Sequence, residues 1–216
     1  MRKTQSGNYV HYGCGVNAPL EWLNFDVSPT LRIQKTPIIN FFLKTKHNTN
    51  FPKNVRFGNI VKGLPISDNS CKGVYCSHVL EHLTLHDCRK AIKNSYKILK
   101  KNGIFRCVVP DLEYITRKYI NNIDNGNNNT ASINFIDDTL LGTREKQNGL
   151  DMFLRSIYGN SKHLWMWDKH SLSKELIDAG FTKLRNCKYN DSKDKMFLKV
   201  EKRERFKNAV AIEAIK

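Results

Sequence analysis

Apolar and polar positions divide the chain into short strand-like runs and longer helical ones. Tyr9-Val-His-Tyr-Gly13 reads as a strand, because a strand sends successive side chains to opposite faces. Leu23–Val27 reads as a second. Val55-Arg-Phe-Gly-Asn-Ile60, Gly73–Cys76 and Ile104–Val109 read as three more. Over residues 87–100, apolar or small residues fall at Cys88, Ala91, Ile92, Tyr96 and Leu99, with Arg89, Lys90, Lys93, Lys97 and Lys100 between them. That spacing puts one face of a helix in the core. Asn102-Gly103 is expected to end it and Ser77 to cap its start.

Other helices are expected over roughly 31–46, with Pro37 breaking or restarting the run, and over Leu112–Ile120, part of 136–158 and Ser171–Ala179. Residues 16–22 are too few for the dozen or so residues a crossover helix needs, so a loop is expected there. Phe181–Tyr189 and Lys195–Lys202 are expected to close the sheet as a strand pair, leaving the last dozen residues as a tail or short helix. Residues 121–134 hold seven asparagines and Gly126, which predicts a mobile low-complexity loop. Strands alternating with helices up to Pro110, then two strands together, imply an α/β fold with a mostly parallel sheet and an antiparallel edge.

At 216 residues, one domain spanning 1–216 is expected. The longest strongly apolar run, Ile38–Leu43, is far short of the ~20 residues of a membrane span. No apolar signal region follows Met1-Arg-Lys, and none of the six cysteines forms C-x-x-C. Reduced, buried thiols, a cytoplasmic location and no metal site are expected. The net charge of +16 suggests an anionic partner, yet basic residues outnumber acidic ones in every third of the chain without a run of five like charges. A solvated basic surface accounts for this as well as a polyanion site does.

Two glycines after the first strand, Gly13 and Gly15, let a ligand approach the backbone, and Asp26 ending the second can accept hydrogen bonds from ribose hydroxyls. With Tyr12-Gly-Cys-Gly15 and Leu23-Asn-Phe-Asp26 come Gly63-Leu-Pro-Ile-Ser-Asp-Asn-Ser70, Val74-Tyr-Cys-Ser-His-Val-Leu-Glu-His-Leu83 and Ile98–Arg106. In this order and spacing they resemble class I S-adenosylmethionine-dependent methyltransferases. More narrowly, they resemble small predicted methyltransferases associated with glycan biosynthesis, and His163–Asp168 and Leu176–Phe181 fit the same group. The resemblance implies a seven-stranded Rossmann-like three-layer sandwich and S-adenosylmethionine as cofactor. It implies that Tyr12, Gly13, Cys14 and Gly15 line the methionine part, Asp26 holds the ribose, Asn59 and Ile60 hold the adenine, and Ser77 and His78 border the sulfonium. The usual third glycine is absent, with Asn17 near its place, and Asn59 stands where an acid is common.

Transfer of methyl to a hydroxyl needs a base, and histidine titrates near neutrality. His78, His82, His163 and Asp111 are the catalytic candidates. Each has a structural alternative: His78 contacting cofactor backbone, His82 as a cap, and the Trp-rich His163–Asp168 stretch as an anchor. The string His78-Val-Leu-Glu-His82 also spells the inverted zinc-protease signature, but a buried strand ending at Cys76 leaves no room for the long helix that it needs. Residues 111–170 are the expected substrate-binding insertion. The acceptor is expected to be a hydroxyl of a sugar or glycan-related molecule. RNA is a less favoured acceptor, because base-methylation signatures are missing after the fourth and fifth strands. A non-catalytic binding module is the remaining alternative. The oligomeric state is not legible.

Overall fold

A computed structural model describes residues 8–35, 50–126, 128–144 and 162–216. Its seven strands are β1 (Asn8–Tyr12), β2 (Trp22–Asp26), β3 (Arg56–Phe57), β4 (Cys71–Ser77), β5 (Leu99–Pro110), β6 (Thr182–Asn186) and β7 (Ala209–Ile215). They form one sheet in the order β3-β2-β1-β4-β5-β7-β6. Neighbours are parallel from β3 to β5, and β7 runs antiparallel to both β5 and β6. The mostly parallel Rossmann-like sheet is as expected, and its antiparallel strand lies one place in from the edge.

Strand alternation sorts the core onto two faces. Val10, Tyr12, Val74 and Cys76 point to one face, where they meet Cys88, Ala91 and Ile92 of helix α2 (Leu85–Ile98). Leu172 and Leu176 of helix α5 (Lys169–Asp178) join them. Here α1 is Pro29–Lys35, α3 is Leu112–Asp124 and α4 is Asn128–Thr139. On the opposite face Trp22 and Tyr75 pack with Phe197 and Val200. The link from β1 to β2 holds no helix, as its length dictates, so that face needs another cover. Residues 194–200 supply it. Phe197 sits edge-on to Tyr9, Trp22 and Tyr75, Trp22 Nε1 donates to the Met196 carbonyl at 3.2 Å, and Tyr9 donates to Asp194 at 2.7 Å.

Several expected elements are corrected. Ser77 does not cap a helix: it ends β4, and α2 starts at Leu85, where Thr84 Oγ1 accepts from the Asp87 amide. Nor does Asn102-Gly103 end that helix. The backbone becomes extended from Leu99, and the register jumps between Cys71 and Gly73, which face Leu99 and Ile104. The four residues Lys100–Gly103 of β5 thus oppose the single Lys72 of β4, and Asn102 absorbs the bulge with a φ of 64°.

Apart from the turn Asn125-Gly126, the described residues of the asparagine-rich stretch are helical rather than loop. Helices α3 and α4 form a hairpin across it, held by Tyr119 on Phe135 and by Lys118 on Asp138 at 2.7 Å. Composition concealed the apolar spacing within it. Lys195–Lys202 is no strand, because its apolar residues form the 3-10 turn Phe197–Lys199 instead. The partner of β6 is β7, in the segment expected to be a tail. Val210, Ile212 and Ala214 face one core and Ala211 the other. The proposed third strand shrinks to Arg56–Phe57, with Ile60–Lys62 forming a 3-10 turn. The continuation of α1 past residue 35 and most of 136–158 lie outside the described residues.

All six cysteines are free and buried. Among the described residues no helix is long and apolar enough to cross a membrane.

Candidate functional site

The carboxyl ends of β1, β2 and β4 converge on the glycine turn. Gly13 has φ 63° and Gly15 φ 53°, both in the left-handed region that favours glycine. A Cβ on Gly13 would lie 2.2 Å from Val79 Cγ2, so the missing side chain is what lets the β4 turn close on the loop. Gly15 faces open space. Asp26 secures the loop: its Oδ2 accepts from the Gly15 amide at 2.9 Å and its Oδ1 from the Ser28 amide at 2.7 Å. Each oxygen keeps a second lone pair. Cys14 turns away into a small cluster with Leu31, Phe51 and Val55. Burial, aided by Asp26, pushes its thiol up to about 12, so it stays neutral.

Two cavities share Gly13. The larger, about 640 Å³, is lined by Tyr12, Val27, Gly58, Asn59, Ile60 and Val79 among others. Asn59 Oδ1 accepts from the Val61 amide at 2.9 Å, which caps the turn after β3 and holds Asn59 and Ile60 at the cleft. The smaller, about 110 Å³, is lined by Gly13, Cys14, Gly15, His11, Tyr75 and Ser77, with Lys202 and Arg205 at its rim. His11 Nδ1, the Tyr75 hydroxyl and Ser77 Oγ are buried round this cavity, with the two hydroxyls beside one another. Polar atoms gathered at one cavity suit a polar ligand. An apolar-walled cleft joined through a bare glycine to a polar, basic pocket fits a nucleoside carrying an amino-acid end. His11, Tyr75, Lys202 and Arg205 were not among the sequence candidates. His11 shares strand β1 with Gly13, but nothing in the sequence shows that 202 and 205 reach this cavity.

The turn after β4 is the second half of the site. His78 lies between Ser77, at the small cavity, and Val79, at the cleft. It adopts φ 54°, a strained conformation for a residue with a side chain. Its Nε2 donates to the Arg205 carbonyl at 2.9 Å, and its Nδ1 lies 3.3 Å from Glu81 Oε1 without hydrogen-bond geometry. Glu81 is fully buried, and neither carboxylate oxygen has a hydrogen-bond partner. His82 Nδ1 donates to the Lys162 carbonyl at 2.9 Å, with Nε2 4.0 Å from Glu81 Oε1.

His163 joins the same group. The amides of Leu164 and Trp165 both donate to the Glu81 carbonyl, at 2.7 and 3.1 Å, and pin this segment to the β4 turn. The His82 and His163 rings meet edge to face, 5.0 Å between centroids. Burial lowers the His163 pKa, against the pull of the Glu81 carboxylate. His163 is therefore a neutral imidazole at pH 7, and its Nδ1 donates to the Thr139 carbonyl at 2.8 Å. Sequence brought His78 and His82 together through helical spacing; the structure does so through the 3-10 turn Leu80–His82.

Asp111 does not join this group through its side chain, which caps α3 by accepting from the Glu113 amide at 2.9 Å. Its backbone bridges to Trp167. Trp167 is 1 % exposed and anchors in the core, whereas Trp165 is 41 % exposed beside it. Asp168 caps α5 through Ser171, a structural role.

Residues 10–107 match the family model described as a methyltransferase domain. No curated protein matches the chain. Three solved structures are similar to it over most of both chains. A possible histamine N-methyltransferase from Thermotoga maritima is 17 % identical, with 97 % of this chain and 82 % of that one covered and a TM-score of 0.49. A methyltransferase from Archaeoglobus fulgidus is 15 % identical, with 98 % and 86 % covered and a TM-score of 0.49. A Haloferax volcanii putative methyltransferase in complex with the activator Trm112 is 15 % identical, with 98 % and 83 % covered and a TM-score of 0.49.

Proposed function

We propose that this protein, an S-adenosylmethionine-dependent methyltransferase, methylates a hydroxyl of a sugar or of a glycan-related small molecule. When bound, S-adenosylmethionine supplies an electrophilic methyl group on a sulfonium. The chain must hold that cofactor, exclude water and generate the nucleophile. Gly13, Gly15, Asp26, Asn59 and Ile60 are the residues we assign to holding it, with Ser77 and His78 bordering the reacting end. Residues 111–170 form the acceptor-binding part on this reading.

The observation that carries the proposal is the docking of His163-Leu-Trp165 on the Glu81 turn. It pins the backbone of Trp165, whose indole is exposed, to the turn that carries Glu81 and His82. An indole face stacks on the apolar face of a sugar ring, and the imidazole–carboxylate group promotes ionisation of the hydroxyl.

The test is cofactor-dependent methyl transfer from radiolabelled S-adenosylmethionine to separate pools of sugar nucleotides, lipid-linked glycans and RNA. Label in a glycan pool, with Trp165→Ala raising KM, supports the reading. Label in RNA alone replaces it with RNA methylation, to which the basic surface would contribute. S-adenosylhomocysteine binding with no turnover on any pool points to a non-catalytic binding protein.

A further inference from the structure

Glu81 poses a problem that hydrogen bonding within the chain does not solve. A fully buried carboxylate with two unpartnered oxygens is costly, and such charges are normally paired or bound to metal. The groups facing it are imidazoles whose other nitrogens are already spent. A carbonyl only accepts, so the Lys162 carbonyl fixes Nδ1 of His82 as the donor. The Thr139 carbonyl does the same for Nδ1 of His163. In the neutral form each ring keeps a lone pair on Nε2. A neutral imidazole with one nitrogen hydrogen-bonded to a backbone carbonyl is the state in which histidine binds metal, because that bond sets tautomer and ring orientation. One ligand atom from each of Glu81, His82 and His163 lies within 4.8 Å of the others.

We propose that Glu81, His82 and His163 form a binding site for one divalent transition-metal ion, zinc being the natural fit for two imidazoles and a carboxylate. Three protein ligands leave a position open, which is the arrangement of reactive rather than structural zinc. The site opens outward at His82, while Glu81 and His163 lie beneath. His78, with Nδ1 at 3.3 Å from Glu81 Oε1, stands beside the carboxylate, its Nε2 held by the Arg205 carbonyl. The His-x-x-Glu-His string thus serves in a compact turn, its third ligand arriving from the segment that Leu164 and Trp165 pin down, with the glutamate itself as a ligand.

The role of the ion rests on the methyltransferase reading. An acceptor hydroxyl in the open position ionises near neutral pH. Its O–H bond breaks with the electron pair left on oxygen, and the proton passes to water. That pair forms the O–CH3 bond while the S–CH3 pair returns to sulfur.

The test reads metal and cofactor separately. The full chain is stripped with a chelator, then titrated with Zn²⁺ and, for its visible absorption, with Co²⁺. Binding of S-adenosylhomocysteine is measured on the same samples by calorimetry. We expect about one ion per chain and a drop in affinity on the order of tenfold or more in each of Glu81→Gln, His82→Asn and His163→Ala. Cofactor binding should be retained in all three. His82, the most exposed ligand, keeps the test informative if the buried variants fail to fold. No uptake by the wild-type chain, or uptake unchanged in the variants, overturns the proposal. Metal uptake without any cofactor binding leaves the site standing and sinks the methyltransferase reading instead.

Discussion

The carboxylate of Asp26 holds the amide of Gly15 at 2.9 Å, so the residue assigned to the ribose also fixes the loop beneath the cofactor. Its second oxygen holds the Ser28 amide at 2.7 Å. Removing the side chain strands two amides and, on the proposed reading, takes away the ribose acceptor as well. Asp26→Ala should weaken S-adenosylhomocysteine binding by ~1–3 kcal/mol, the cost of stranding a hydrogen-bonded group. Calorimetric titration checks this, and unchanged affinity would remove Asp26 from the site.

Gly13 and Val79 make a second, separable test. Gly13→Ala brings a methyl against Val79 Cγ2 and forces a side chain into φ 63°. Cofactor affinity should fall. In the double variant with Val79→Ala the clash is gone while the backbone strain, roughly 1 kcal/mol, remains. Affinity should then recover in part, and a double-mutant cycle should show the two residues coupled. Two purely additive effects would mean that the contact is not what shapes the loop.

His11 predicts a pH dependence of stability. Burial pushes its pKa from 6.5 down to about 3, offset in part by the Asn17 backbone. The folded protein therefore keeps it neutral where the unfolded chain takes up a proton. Its contribution is fully present above pH 6.5 and is lost progressively as pH falls from there towards 3. Within that window the slope is at most ~1.4 kcal/mol per pH unit. Urea midpoints at pH 7.5 and 5.5 should differ more in the wild-type chain than in His11→Phe, which keeps a ring against Trp22 and Tyr75. Equal differences would refute the assignment.

Arg106 is a buried charge that binds four groups at once. It pairs with Glu201, with Glu213 at 3.0 Å, with Asp191 at 2.8 Å and with the Lys188 carbonyl at 2.7 Å. Arg106→Ala leaves the buried Glu201 without its cation, while Glu213 keeps Arg185 at 2.8 Å, which should cost ~3–5 kcal/mol. Chemical denaturation at neutral pH measures it. A loss under 1 kcal/mol would mean that the glutamates find other partners.

The parts legible in the sequence are those where one local rule decides. Gly13, Gly15 and Asp26 declared a turn between two strands, and the shortness of residues 16–22 correctly forbade a crossover helix. Alternation marked β1, β2 and β4. Most of the errors share a cause: the deciding partner was remote in sequence. Asn102 looked like a helix end because the bulge it accommodates is set by β4. Val210, Ile212 and Ala214 looked like a tail because only β5 and β6 give them a place. At the site, His82 was legible as a candidate, but its orientation depends on Lys162 and its companion on His163, some eighty residues away. The orphaned state of Glu81 is a property of packing, which no spacing rule conveys.

One consequence of the strand order concerns the making of the protein. Strand β7 lies between β5 and β6, yet it is synthesised after both. While the chain emerges from the ribosome, β5 presents a bare edge and β6 has nothing to pair with until residues 209–215 arrive. Until residues 188–213 are out, Arg106 has none of its four partners and keeps that edge hydrated, which guards an exposed strand against joining another chain. The same arginine that locks the finished sheet thus marks, in the emerging chain, the edge that β7 has yet to cover.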